Sequence, residues 1–198
     1  MERPDARAGS SRDDVHRVVV PREQIAHRVG ELAEQISQHY LGRELTILAV
    51  LTGSLVFLAD LIRRLPVRLR LHVVSASSYG AATKPGTLRV EMPADLDLAG
   101  RDVLIVDDIL DTGRTLDEIV RQVAAHKPAS LRCCVLLEKS HRAPAGRIEP
   151  DFRGFQIDGQ FVVGYGLDIG NLYRNLPDIC VLTDEAMRAV RETGKAQS

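Results

Sequence analysis

The chain has 198 residues, 44% hydrophobic and 27% charged, enough for one soluble domain with a substantial buried core. Lys plus Arg number 26 against 27 Asp plus Glu, a formal net charge of −1. That balance argues against a general nucleic-acid coat or an acidic-tail protein, and leaves room for local charged sites.

In chain order, residues 1–15 are polar and charged, lack the apolar core of a secretory signal, and predict a disordered tail ahead of a single domain over 16–198. Val29, Leu32, Ala33 and Ile36 repeat at helical spacing, which predicts a helix over Val29–Tyr40. The stretch Leu45–Ile62 is close to the length of a membrane span. Thr52-Gly53-Ser54 interrupts it and Asp60 lies inside it, so a buried strand (Leu45–Leu51), a turn and a helix (Leu55–Leu65, stopped by Pro66) explain it better. Val67–Ser75 alternates in part and reads as a strand nearer a sheet edge.

Residues 76–100 change character, with Gly80, Pro85, Gly86 and Pro93 among polar residues. Such a segment inside a compact domain reads as a lid or binding loop, with a floppy hairpin as the plain alternative. Asp102–Val106 is the next buried strand, Asp111–Thr115 a turn, Leu116–Ala125 a helix and Leu131–Leu137 a strand. Residues 155–182 are strand-rich, broken by Gly159, Gly164, Gly166 and Pro177, and Thr183–Glu192 is a last helix with Thr183 as its N-cap. Strands alternating with helices predict one α/β domain with a mostly parallel sheet. Cys133, Cys134 and Cys180 form no Cys-x-x-Cys pair and read as reduced, core-packing thiols of a cytosolic protein.

The strongest chemical signal is VLIVDDILDTGRTL, Val103–Leu116. An apolar strand delivers Asp107 and Asp108 to its C-terminal end, where open α/β sheets bind ligands. Adjacent carboxylates are costly unless they meet hydroxyl donors or a cation. Thr112, Gly113, Arg114 and Thr115 then sit at a helix start, where exposed N–H groups, the helix dipole and hydroxyls favour a phosphate. Carboxylates followed by a phosphate cradle describe a ribose-phosphate site. The plain alternative is a capped helix after a strand with solvated acids. A Walker-B strand would need a G-x-x-x-x-G-K-[ST] loop, which is absent from the sequence. A receiver domain would need an acceptor Asp after a buried strand, and Asp151 follows RIEP instead.

This segment resembles the phosphoribosyl pyrophosphate motif of the phosphoribosyltransferases. LTGSLVFLADLIRRL from Leu51, Ser77-Ser78-Tyr79-Gly80, Lys139 after VLLE, and FVVGYGLDIGNLYRNLP (Phe161–Pro177) resemble, in matching order, the pyrophosphate loop, lid and purine pocket of the hypoxanthine-guanine branch. The resemblance implies a type I phosphoribosyltransferase fold: a mostly parallel twisted sheet flanked by helices, a small hood over about 150–182 and a mobile lid over about 76–100. It implies purine salvage, the transfer of a phosphoribosyl group to hypoxanthine or guanine with magnesium as cofactor. It also implies a cytoplasmic homodimer or homotetramer without nucleic-acid or membrane partners.

Residue by residue, the resemblance implies ribose and magnesium binding by Asp107 and Asp108. The family usually has Glu then Asp there, so Asp107 is a shorter substitute. Asp111 becomes the general base or acid at the purine, and Thr112, Gly113, Arg114 and Thr115 hold the 5′-phosphate. Leu51, Thr52, Gly53 and Ser54 line the pyrophosphate, with an unusual cis bond at Leu51-Thr52; many relatives carry Lys where Thr52 stands, which leaves Thr52 its backbone. Ser78 and Tyr79 open the lid. Lys139 reads the 6-oxo group, since an ammonium donates and cannot accept from a 6-amino group; on spacing alone it would be a surface lysine. Phe161 stacks on the base, with core packing as the alternative, and Val162 offers backbone groups to its edge. Asp168 binds a second magnesium and Arg174 pairs with pyrophosphate oxygens. His141 and Arg142 read as solvated loop residues. Two other functions keep the motif: a nucleotide-sensing regulator that binds nucleic acid, and a xanthine- or pyrimidine-preferring transferase.

Overall fold

A computed structural model of the chain describes residues 11–79, 87–140 and 148–196. The elements are β1 (Val15–Val20), α1 (Arg22–His39), β2 (Leu45–Leu51), α2 (Leu55–Ile62), β3 (Leu69–Tyr79), β4 (Thr87–Glu91), β5 (Asp102–Leu110), α3 (Arg114–Ala125), β6 (Ser130–Lys139), β7 (Phe152–Ile157), β8 (Ile179–Leu182) and α4 (Asp184–Ala196). They fall into two compact units, Ala26–Gln160, and Met1–Ile25 with Phe161–Ser198.

The larger unit holds a six-stranded sheet in the order β4-β3-β2-β5-β6-β7. All pairs are parallel except β3–β4. β2 and the central runs of β5 (Val103–Val106) and β6 (Cys133–Leu137) are mostly apolar and buried on both faces, as inner strands of parallel sheets are. One face packs Leu48 and Val50 of β2, Val74 of β3, Val103 and Ile105 of β5, and Cys133 and Val135 of β6 against Leu116, Ile119 and Val123 of α3. From β2 the chain moves to β3 on one side, and from β5 to β6 and β7 on the other. The C-terminal ends of β2 and β5 therefore flank a topological switch point, where such sheets place their ligands.

The smaller unit pairs β1 antiparallel with β8. Val163, Leu176, Leu182 and Ala186 form its core, with Val15, Ile169, Tyr173 and Met187 packed against them. Thr183 caps α4 as expected, its Oγ1 accepting the Ala186 N–H at 3.2 Å.

Several boundaries differ from the sequence expectation. Residues 11–15 form turns and the start of β1 instead of a tail. α1 begins at Arg22, seven residues before the expected Val29, because the Arg22 N–H is capped by the distant Asp178 carboxylate at 2.8 Å. β3 is second from the sheet edge, near it as expected, but it runs past Ser75 to Tyr79 and pairs antiparallel with β4, so part of the stretch read as a lid or binding loop follows the hairpin alternative. Leu96 and Leu98, at its far end, are buried in the core. Residues 152–157, within the stretch expected for the hood, are the edge strand of the main sheet. The Leu45–Ile62 run divides into β2 and α2, and no helix among the described residues is long and apolar enough to cross a membrane. All three cysteines are free and buried, and burial pushes the Cys133 thiol up to about 12.

Candidate active site

The switch point of the larger unit brings together most of the predicted residues. Ala49 of β2 pairs with Val106 of β5; two residues further along each strand come Leu51 and Asp108. β5 extends past the expected Val106 to Leu110, so Asp107 and Asp108 lie within the strand. Asp107 is buried, with 7% exposure, and its Oδ1 accepts the Asp108 N–H at 2.9 Å. The Asp107 carboxyl is pushed well above the usual carboxylate range, first by burial and then by the Asp108 charge. Asp108 Oδ1 accepts the Ile109 N–H at 2.8 Å.

The Leu51-Thr52 bond is cis, as the resemblance implies. Gly53 lies so close to the acidic pair that a Cβ there would stand 1.7 Å from Asp108 Oδ2. Only glycine lets the loop after β2 approach the carboxylates. Ser54 is fully buried and its hydroxyl donates to the Val50 carbonyl, so its backbone N–H is what it can offer an anion.

Asp111, Thr112 and Gly113 turn the chain into α3. Gly113 is the N-cap with φ 85° and no capping side chain. The first-turn N–H groups of α3 are thereby left for an incoming anion, beside the exposed Thr112 and Arg114. From the end of β6, Lys139 reaches across to Asp111, Nζ to Oδ2 at 2.9 Å. Lys139 is 7% exposed, which removes the surface-lysine alternative. The sequence reading named both residues and missed that they hold one another.

Ser78 and Tyr79 end β3, their backbones paired with Leu88 and Thr87. Residues 80–86 of the expected lid, and His141 and Arg142, lie outside the described residues.

The remaining predicted residues belong to the smaller unit. Phe161 is 45% exposed, so it is not a core residue, whereas Val162 is buried. Asp168 and Arg174 sit on one turn and pair with each other, Nη2 to Oδ1 at 2.9 Å. Arg174 also donates to the Gly166 carbonyl at 2.7 Å and to Asn171 Oδ1 at 3.1 Å. Asp168 Oδ2 accepts the Asn171 N–H at 2.7 Å.

Magnesium is the cofactor the resemblance implies. Among the described residues no three His, Cys, Asp or Glu side chains converge on one point. Asp107 and Asp108 nevertheless form an adjacent pair of hard oxygen donors whose mutual repulsion a cation would relieve. Magnesium is commonly held by one or two carboxylates, with substrate phosphates and water completing its shell, so the residues fit.

Comparison with known proteins agrees with this geometry. The phosphoribosyl transferase domain model matches residues 20–169. The hypoxanthine-guanine phosphoribosyltransferase of Mycobacterium tuberculosis is 40% identical over 176 residues, covering 85% of this chain and 87% of that protein. The hypoxanthine-guanine-xanthine phosphoribosyltransferase of Tritrichomonas foetus is 34% identical over 172 residues, covering 87% and 94%. A crystal structure of a hypoxanthine phosphoribosyltransferase from Staphylococcus aureus superposes with a TM-score of 0.83 at 36% identity, covering 90% of this chain and 98% of that one. With the ribose-phosphate motif at the switch point and its acid facing a buried lysine, the chain belongs to the phosphoribosyltransferase family, in its hypoxanthine-guanine branch.

Proposed function

We propose that the protein transfers the 5-phosphoribosyl group of phosphoribosyl pyrophosphate to hypoxanthine or guanine, releasing pyrophosphate and forming IMP or GMP. The observation that carries this reading is the Lys139–Asp111 pair beside the Asp107–Asp108 carboxylates and the open start of α3. Asp107 and Asp108 bind the ribose hydroxyls, and Thr112, Gly113, Arg114 and Thr115 bind the 5′-phosphate. Leu51, Thr52, Gly53 and Ser54 bind pyrophosphate through backbone groups. Lys139 keeps two N–H donors beyond the one given to Asp111, and these meet the 6-oxo group. Asp111 takes or returns the proton of the purine imidazole ring. Phe161 stacks on the base, Val162 reads its edge, and Arg174 meets pyrophosphate.

Asp107 and Asp108 would hold one magnesium and Asp168 a second. Such cations would supply charge neutralisation for the pyrophosphate leaving group. Ser78 and Tyr79, at the end of β3, help to keep water from the cationic sugar centre. The enzyme works in the cytoplasm as a homodimer or homotetramer; the partly exposed Leu71 and Val73 on β3 support self-association.

A spectrophotometric assay with magnesium, phosphoribosyl pyrophosphate and each of hypoxanthine, guanine, xanthine, adenine and uracil tests the reading. Turnover of hypoxanthine and guanine with none of adenine is the expected result. No turnover of any base, with a mobility shift of nucleic acid in a parallel gel, would replace it with the regulator reading. The Tritrichomonas foetus relative makes xanthine the informative third base.

A further inference from the structure

The turn that carries Asp168 and Arg174 is made of backbone that resists its own shape. Gly170, Asn171 and Tyr173 have φ of 58°, 64° and 70°. Glycine takes such values freely and asparagine tolerates them, whereas a bulky aromatic residue does not. Tyr173 directly precedes Arg174. A return of Tyr173 to negative φ would swing Arg174 away from the Gly166 carbonyl, Asn171 and Asp168.

Bonds inside the turn close it on itself: Asn171 N–H to Asp168 Oδ2, and paired backbone bonds between Ile169 and Leu172. Two features hold Tyr173 from further away. Its ring packs against the Val163, Leu176, Leu182 and Ala186 core. Its hydroxyl donates to Asp14 Oδ2 at 2.9 Å. Burial and then Asp14 push the Tyr173 hydroxyl upward, so it stays a donor. Asp14 is itself anchored, because its carbonyl accepts the Thr183 N–H at 2.9 Å and Thr183 caps α4. A residue just ahead of β1 thus links the start of α4 to the turn.

We propose that Asp14 is a positioning residue of the transferase: through the Tyr173 hydroxyl it holds the Asp168–Arg174 turn in the shape that meets pyrophosphate. This rests on the assignment of Asp168 and Arg174 to pyrophosphate made above. Asp14 touches no substrate and acts only through Tyr173.

The test uses the full chain and the variants D14A, D14N, Y173F and D14A/Y173F, with D168N and R174A as references. Affinity for magnesium pyrophosphate is measured by calorimetry, KM for phosphoribosyl pyrophosphate and for hypoxanthine by initial rates, and folding by thermal melts. D14A and Y173F should each weaken pyrophosphate binding and raise KM for phosphoribosyl pyrophosphate by about 10-fold or more, as loss of a hydrogen bond to a charged group does. KM for hypoxanthine should stay within about two-fold. D14N should keep near-normal binding, since its carboxamide oxygen still accepts the hydroxyl. The double variant should be no worse than either single one, because both remove the same contact. Unchanged pyrophosphate affinity in D14A, equal losses for both substrates, or additive losses in the double variant would overturn the proposal. If D168N and R174A also bind pyrophosphate normally, the underlying assignment fails; if they bind it poorly while D14A does not, only the role of Asp14 falls.

Discussion

Replacing Gly53 with alanine tests the site without substituting any charged group. The new Cβ would stand 1.7 Å from Asp108 Oδ2 and 2.6 Å from its Cγ. Carbon and oxygen settle at about 3.3 Å even in close, weakly attractive contacts. The carboxylate must therefore retreat by about 1.6 Å. It sits at the end of a short side chain near the end of β5, so the retreat takes a changed rotamer, worth about 0.5–1.5 kcal/mol, and leaves the sheet intact. For a domain of this size the melting temperature should fall by no more than about 6 °C. Function should suffer far more, because displacing a substrate-gripping group by over 1 Å costs on the order of 100-fold. Initial rates at saturating hypoxanthine and varied phosphoribosyl pyrophosphate should show a loss of about 100-fold in kcat/KM. The G53A/D108A double variant should be no worse than D108A alone. A G53A enzyme within about three-fold of the parent would refute the role given to Asp108 and the need for this close approach.

Lys139→Gln removes an ammonium that can only donate and supplies a carboxamide that can also accept, so the preference for guanine over adenine should shrink by at least about ten-fold in competition assays. Asp111→Ala should lower kcat by roughly 100-fold or more while KM for phosphoribosyl pyrophosphate changes little, read from steady-state kinetics. The Asp178 carboxyl is held below its usual 3.8 by its hydrogen bonds to Arg22. Its stabilisation is complete above that value and is lost as pH falls through the lower folded one, so the stability lost in Asp178→Ala, about 1 kcal/mol with Arg22 half exposed, should shrink progressively in urea melts as pH falls below 3.8. His39 Nε2 accepts the Arg132 Nε–H at 2.7 Å, and burial, then Arg132 and Arg43, lower its pKa below 6.5; Asp151 and Asp102 oppose this. The unfolded chain then binds the proton first, so stability should be greatest above pH 6.5 and decline below it, with the decline reduced in His39→Gln.

What the sequence discloses here is what depends on near neighbours. The bounds of β2 follow from an unbroken apolar run, the cap at Thr183 from the residue type, and the ribose-phosphate segment from contiguous residues on a single strand-turn-helix. The features it conceals depend on partners far along the chain. The first turns of α1 are polar and are stabilised by Asp178, so periodicity alone starts the helix too late. β5 runs past Val106 because Ile109 and Leu110 pair with Leu137 and Glu138 of β6, which two consecutive aspartates disguise. The Lys139–Asp111 pair joins the end of β6 to the turn after β5, and Glu138, a buried carboxylate joined to Arg153, follows directly on an apolar run. Each residue type was visible; its partner was not.

The pairing of Val15 with Leu182 has a consequence for how the chain is made. Proteins emerge from the ribosome N-terminus first and fold unit by unit. β1 is therefore synthesised before the other described elements, and its partner β8 follows only after all six strands of the main sheet have appeared. During that wait its edge is bare. His16 and Arg17 remain exposed beside Val18 even in the finished protein, and such charged or polar side chains discourage a lone strand from joining a stranger.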